Sequence, residues 1–224
     1  MCAVKLLRAA AIVLPIGRDD PQHASLRFIA FEGADGAGKT TQARLLAAHL
    51  RALGHEVVEV REPGGTAAGE QVRTLVLDSE APLGARAEAL LFAAARAQLV
   101  EDVIFPALAR GATVIADRYV GSSLVYQGVV RGVGAEAVRT INAIGTGGLV
   151  PDATVLLALT AEQAAARRDP RAADRIEREP IEFHRRVIAA YDEVLAVDDG
   201  RLVRVDGTGD AAEVAARVRE ALGL

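Results

Sequence analysis

The sequence predicts an α/β protein, a doubly wound parallel sheet of five strands flanked by helices, and three observations predict it. Short, often β-branched apolar runs alternate with longer Ala/Leu/Arg-rich stretches of helical period, the pattern of repeated βα units. The short runs are apolar throughout, as strands buried on both faces require. Glycines stand where several of the helices should stop.

The elements follow in order. Arg27–Glu32 reads as the first strand, and the helix Lys39–Leu53 follows, ended by Gly54. Glu56–Val60 is the second strand, succeeded by helices over Ala67–Leu77 and Ala85–Arg110, the latter ended by Gly111. Thr113–Ala116 is the third strand, and a helix over Ala135–Ile144 comes after it. Thr154–Ala158 is the fourth strand, followed by helices Ala161–Arg168 and Ile181–Val197. Leu202–Val205 and the helix Ala211–Leu222 close the fold. The breaks Pro63–Gly65 and Gly145–Pro151 read as loops over one edge of the sheet. With no repeat and no interdomain linker, residues 27–224 read as one domain behind a loosely ordered extension, residues 1–26. Ligands of such a sheet lie at the carboxyl ends of its strands.

Composition narrows the function. Twenty-six Lys+Arg against 30 Asp+Glu give a formal charge of −4, which argues against a nucleic-acid or membrane-surface protein. Aromatics make up 4% and Trp is absent, so platforms for stacked bases are not expected. The lone Cys2 excludes a disulfide framework. The start imitates a secretory signal, with Lys5 and Arg8 ahead of an apolar run. That run is short and broken by Pro15, so it reads as an extension and the protein as cytoplasmic. Only Lys5 and Lys39 are lysine; arginine carries the rest of the positive charge.

Lys39 stands in the strongest motif of the chain. Gly33-Ala34-Asp35-Gly36-Ala37-Gly38-Lys39-Thr40 fits the phosphate-loop pattern, between a strand and a helix as that pattern demands, and Thr41 continues it. Glycines let backbone N–H groups approach an anion, and the helix N-terminus adds partial positive charge. Lys39 neutralises the β/γ-phosphates in this reading, and the Thr40 hydroxyl ligates Mg²⁺. A second carboxylate and a guanidinium leave the third strand together in Asp117-Arg118-Tyr119: Asp117 to hold Mg²⁺ through water, Arg118 to clamp a phosphate. Arg61-Glu62-Pro63-Gly64-Gly65-Thr66 follows the second strand in the same way.

With these motifs in this order, together with Phe92…Arg96, Tyr126-Gln127-Gly128 and the late arginine-rich stretch, the chain resembles the thymidylate kinases of the bacterial type from about Phe28 to Leu222. The resemblance implies a P-loop fold, ATP as phosphoryl donor, dTMP as acceptor, Mg²⁺ as cofactor, and a homodimer built from helix faces. It implies that Arg61 and Arg118 hold the acceptor's phosphate, which suits two guanidinium forks. It places the Phe92 ring on the thymine and Arg96, four residues on and on the same helix face, at its carbonyl edge. An ordinary core phenylalanine fits Leu90-Leu91-Phe92 equally well. Ser123 falls near the base, Tyr126 under the sugar where a ribose 2′-hydroxyl would project, and Gln127 beside the acceptor; a capping serine and a core tyrosine remain the plain alternative. Asp35 reaches toward the acceptor's 3′-hydroxyl side.

The resemblance also makes residues 165–178 a short arginine-rich lid that supplies a catalytic arginine. Other members carry that arginine in the phosphate loop, where this chain has Gly36 and Ala37. Arg171 and Arg175 are the first candidates and Arg168 the third, with a solvated charged linker as the alternative. The last turn, Val205-Asp206-Gly207-Thr208, passes the adenine mainly through its backbone. Rival readings fail on particular residues. A small GTPase needs an Asn-Lys-x-Asp motif, and lysine occurs only at 5 and 39. The two phosphate-clamping arginines favour a monophosphate acceptor over a nucleoside, and a non-catalytic binding module would not need lid arginines.

Overall fold

A computed structural model of the chain describes residues 26–78, 82–169, 173–195 and 202–224. Strands β1 (Phe28–Glu32), β2 (Val57–Arg61), β3 (Thr113–Asp117), β4 (Ala153–Ala158) and β5 (Leu202–Asp206) form a parallel sheet in the order β2-β3-β1-β4-β5. Each lies within a residue of its expected bounds. β1 is central because it is buried along its whole length and both neighbours match it in apolarity: Ile29 pairs with Ile115 on one side and Ala153 on the other. Alternate residues serve opposite layers. Ile29 and Phe31 pack on one face with Leu46, Leu50, Val214 and Val218, whereas Phe28 and Ala30 pack on the other with Leu99, Ile104 and Val114. Fully burying each large side chain stabilises the sheet by about 1.5–3 kcal/mol.

The helices are α1 (Lys39–Ala52), α2 (Ala67–Arg73), α3 (Ala85–Leu99), α4 (Phe105–Ala109), α5 (Val120–Ser123), α6 (Ala135–Thr146), α7 (Ala161–Ala166), α8 (Ile181–Leu195) and α9 (Ala211–Leu222). Their starts follow local chemistry. Thr66 caps α2 through the Gly69 amide at 3.0 Å, while Thr160 and Asp210 form reciprocal capping boxes with Gln163 and Glu213.

Three expectations need correction. The stretch Ala85–Arg110 is not one α-helix: α3 widens into a π-helical turn at Val100–Ile104 before α4. Pro106 has no N–H, and its ring would crowd the carbonyl four residues back, so a regular ladder cannot run through. Ala67–Leu77 likewise splits into α2 and a π-helical turn at Thr74–Asp78. The loop expected from Gly145 starts at Gly147, because Gly145 and Thr146 complete α6. Gly145 serves a close approach there: a Cβ on it would sit 3.1 Å from the Ala97 side chain of α3. An unforeseen helical segment also exists, α5 running into π-helical turns over Leu124–Val130. It is apolar nearly all round and mostly buried, so it shows no amphipathic period to read.

This segment, α6 and α8 share a third apolar cluster, with Tyr126, Phe183 and Tyr191 among its rings. It forms a wall beside the carboxyl ends of the strands. Among the described residues, no helix is long and apolar enough to cross a membrane.

Candidate active site

β1 stops at Glu32, and the loop Gly33 to Gly38 leads straight into α1. Gly36 has φ 88°, and a Cβ there would lie 2.2 Å from the Ala164 carbonyl oxygen of α7 and 3.0 Å from the Arg168 stem, so only glycine fits. The loop thus passes close against α7; the Ala37 amide bonds back to the Ala34 carbonyl at 3.1 Å, which closes the loop into a turn. Lys39 is buried, and its Nζ donates to the Ala34 carbonyl at 2.8 Å. Burial first, and the nearby Arg118 charge second, lower the Lys39 ammonium to about 8, with Asp35 partly offsetting them. Thr40 Oγ1 donates to Asp117 Oδ2 at 2.5 Å, so the two groups expected to serve Mg²⁺ meet across the loop. Both offer hard oxygen atoms, the donor type Mg²⁺ selects. Among the described residues there is no group of three or more His, Cys, Asp or Glu side chains arranged to hold a metal by themselves. A cation at Thr40 and Asp117 therefore depends on phosphate and water oxygens for its remaining ligands.

A cleft of about 790 Å³ runs along the carboxyl ends of the strands, large enough for more than one small molecule. The loop from Asp35 to Thr41 lines one part, and Arg61, Phe92, Asp117, Arg118, Ser123, Tyr126 and Gln127 line the rest. Residues expected to serve the donor and the acceptor therefore share one cavity.

Arg118 sits where these two parts meet. Its backbone adopts φ 74°, a left-handed conformation unusual for a non-glycine residue. Its guanidinium pairs with Asp35 and donates to Ser122 Oγ at 2.8 Å, to Tyr191 Oη at 3.2 Å and to the Gly33 carbonyl at 3.2 Å. It also lies 5.2 Å from the Tyr126 ring centre, and the Tyr126 hydroxyl donates to Asp35 at 2.9 Å. Burial would raise the Asp35 carboxyl, but Arg118, Lys39 and the Tyr126 hydrogen bond together hold it well below the usual carboxylate range. Asp35 is thus an anion at neutral pH, a partner for cations and hydroxyls rather than a proton store. Arg61 is exposed and leans on Glu70 at 3.1 Å, a contact screened by solvent and easily exchanged for a better anion.

The other end of the cleft is drier. Phe92 is half-buried and presents part of its ring to the cavity. Arg96 is 2% exposed and already has its charge partner, Glu62, at 2.6 Å. Burial pushes the Glu62 carboxyl up to about 7, with Arg96 opposing the shift. The guanidinium also donates to Asn142, to Ser123 Oγ at 3.1 Å and to the Tyr119 carbonyl at 3.2 Å. Its burial alone therefore does not demand a ligand, contrary to the argument from sequence; its tie to the cleft is Ser123, which it braces from behind. Gln127 is held by its Nε2 donating to the buried Glu88 at 2.9 Å.

The lid arginines divide. Arg171 lies outside the described residues. Arg175 donates to the Val76 carbonyl at 2.9 Å and to Glu88 at 2.5 Å, and Arg168 donates to the Glu177 carbonyl at 3.1 Å and to His184 at 3.0 Å. Neither lines the cleft, whereas Arg167, inside the expected lid but not among its candidates, does, as do Arg73 and Arg44, unforeseen in the sequence. Arg167 bridges to the turn after β5 through the Gly207 and Gly209 carbonyls at 3.0 and 3.3 Å. Glu32, Ser122 and Tyr191 were unforeseen as well. Glu32 abuts the phosphate loop and was open to notice; Tyr191 falls on the apolar stripe of α8, where spacing marks it only as core.

The family model described as thymidylate kinase matches residues 31–218. The thymidylate kinase of Caldanaerobacter subterraneus subsp. tengcongensis is 47% identical over 188 residues, covering 84% of this chain and 90% of the relative. That of Synechococcus sp. strain JA-3-3Ab is 48% identical over 191 residues, 85% and 92% of the two chains. That of Deinococcus radiodurans is 46% identical over 195 residues, 85% and 93%.

Proposed function

The chain belongs to the thymidylate kinase family, a family of phosphotransferases, and from that membership we propose that it transfers the γ-phosphoryl group of ATP to dTMP, giving ADP and dTDP. The observation that carries the proposal is the single cleft in which the phosphate loop faces Arg118 and Arg61. A phosphate oxygen of dTMP attacks the γ-phosphorus, and the bond from that phosphorus to the β-bridging oxygen breaks. The attacking oxygen is already ionised, so the site has to align and to stabilise charge rather than remove a proton. The loop amides and Lys39 grip the triphosphate, and Arg118 and Arg61 hold the acceptor's phosphate. Asp35 fixes Arg118 and the sugar side. Phe92 and Ser123 meet the base, with Arg96 behind Ser123; Tyr126 closes the space beneath the sugar, and Gln127 steadies that wall. Thr40 and Asp117 are the residues that would hold Mg²⁺, which supplies neutralisation of the β- and γ-oxygens. The lid is assigned the arginine that acts on the transferred group, with Arg171, Arg175 and Arg168 as its candidates. The reaction is placed in the cytoplasm.

ADP release measured across dTMP, dUMP, ribo-TMP, dCMP and AMP tests the assignment. dTMP is the preferred acceptor and dUMP a poorer, real one, because a single methyl group is worth only about 1–3 kcal/mol of discrimination. Activity chiefly on AMP would overturn it. Two copies pairing through helix faces belong to the same proposal, and the exposed Leu90 of α3 and Ile144 of α6 support it, since α3 and α6 pack side by side. Sedimentation at twice the chain mass is the expected result, and a monomer at micromolar concentration refutes it.

A further inference from the structure

Beneath Arg118 lies a carboxylate with no part in the chemistry above. Glu32, the last residue of β1, is 1% exposed. It accepts four hydrogen bonds: from the Tyr119 amide at 3.0 Å, the Ser122 amide at 2.9 Å, Ser122 Oγ at 2.5 Å and Tyr191 Oη at 3.1 Å. Four donors converging on one buried acid is a dense arrangement, because each buried polar group has to find partners in the protein.

Two of those bonds act on the backbone. Arg118 occupies the left-handed region, which a residue with a Cβ seldom adopts. The Tyr119 amide that follows it and the Ser122 amide one turn on are both fastened to Glu32, which holds the reversal in place. The other two bonds act on protons. Ser122 and Tyr191 each carry one hydroxyl hydrogen, and a carboxylate can only accept. Each hydroxyl can give its hydrogen to Glu32, although the two oxygens also lie 3.0 Å from each other; with both hydrogens on Glu32, the lone pairs of both oxygens turn to Arg118, 2.8 and 3.2 Å from its Nη1. A guanidinium can only donate, so this polarity is the one it requires.

We propose that Glu32 is the positioning residue for Arg118. It orients the two hydroxyls and the turn so that the guanidinium is presented to the acceptor's phosphate, and it touches no substrate itself. The inference rests on the reading that the acceptor is a nucleoside monophosphate. Glu32→Gln is nearly isosteric, but its NH₂ group replaces either the oxygen that accepts from the two amides or the one that accepts from the two hydroxyls, so two of the four contacts are lost: in the first case the turn is unfastened, in the second the hydroxyls are no longer held with their lone pairs toward the guanidinium.

The test is calorimetric binding of dTMP and, separately, of thymidine, which lacks the phosphate. The wild-type protein binds dTMP more tightly. Glu32→Gln weakens dTMP about tenfold or more while thymidine changes by less than about twofold. A merely structural role would weaken both ligands equally, and that outcome overturns the inference, as does unchanged dTMP affinity. Should Glu32→Gln fail to fold, Ser122→Ala combined with Tyr191→Phe leaves the acid in place and removes its link to the guanidinium. Selective loss of dTMP affinity is again the expected result, and equal loss of both ligands again overturns it. A wild-type protein that binds thymidine as tightly as dTMP removes the acceptor assignment first and this inference with it. Preference in the wild type with an unaffected variant sinks this inference alone.

Discussion

Lys39→Ala lowers kcat by about 10²–10³-fold and leaves the fold intact, because the lost ammonium faces charge that develops in the transition state. Stability should hold or rise. The ammonium is buried and donates to one carbonyl, and its protonation is disfavoured relative to the unfolded chain, so the native state gives up a cost rather than a benefit. Steady-state kinetics and a thermal melt on the same preparation read both effects. Turnover at the wild-type rate would remove the loop from the chemistry.

Arg118→Met lowers kcat/KM for dTMP by on the order of 10²–10³-fold, since truncating one member of a buried, hydrogen-bonded charge pair costs about 2–5 kcal/mol and the bound phosphate loses its fork as well. Methionine keeps an apolar stem of similar length but not the guanidinium that lies over the Tyr126 ring, so it removes the charge and its ring contact with little loss of volume. Both KM for dTMP and kcat should worsen, whereas KM for ATP should move little. Arg118→Lys should recover only a small part, because an ammonium cannot reproduce two parallel N–H donors or the set of partners now shared among Asp35, Ser122 and Tyr191. Retention of full activity in the lysine variant would show that a point charge suffices and that the fork is irrelevant.

The five strands were legible because each is a short apolar run between breaks, and burial on both faces leaves no competing period. The phosphate loop and Asp117-Arg118 were legible because chemistry confines them to a few residues at strand ends. What escaped lies where contacts join distant positions. The segment Val120–Val130 is buried nearly all round and carries no amphipathic signal, though Tyr126 and Gln127 stand on it. Arg96 reads as a lone cation in an apolar stretch, and its partner Glu62 comes from the end of another strand, 34 residues earlier. The lid arginines look interchangeable in sequence, yet Arg175 is drawn to Glu88 and Arg168 to His184, pairings that no local spacing announces.

The glycine at position 36 limits what can be built into the loop. The resemblance implies a family that carries its catalytic arginine either in the phosphate loop or in the lid, two arrangements one substitution apart on paper. In this protein they are not, because any side chain at 36 would drive into the Ala164 carbonyl of α7. A guanidinium at this loop position would first require α7 to be reseated. Placing an arginine at position 36 alone on this scaffold should therefore yield a damaged protein rather than a converted one.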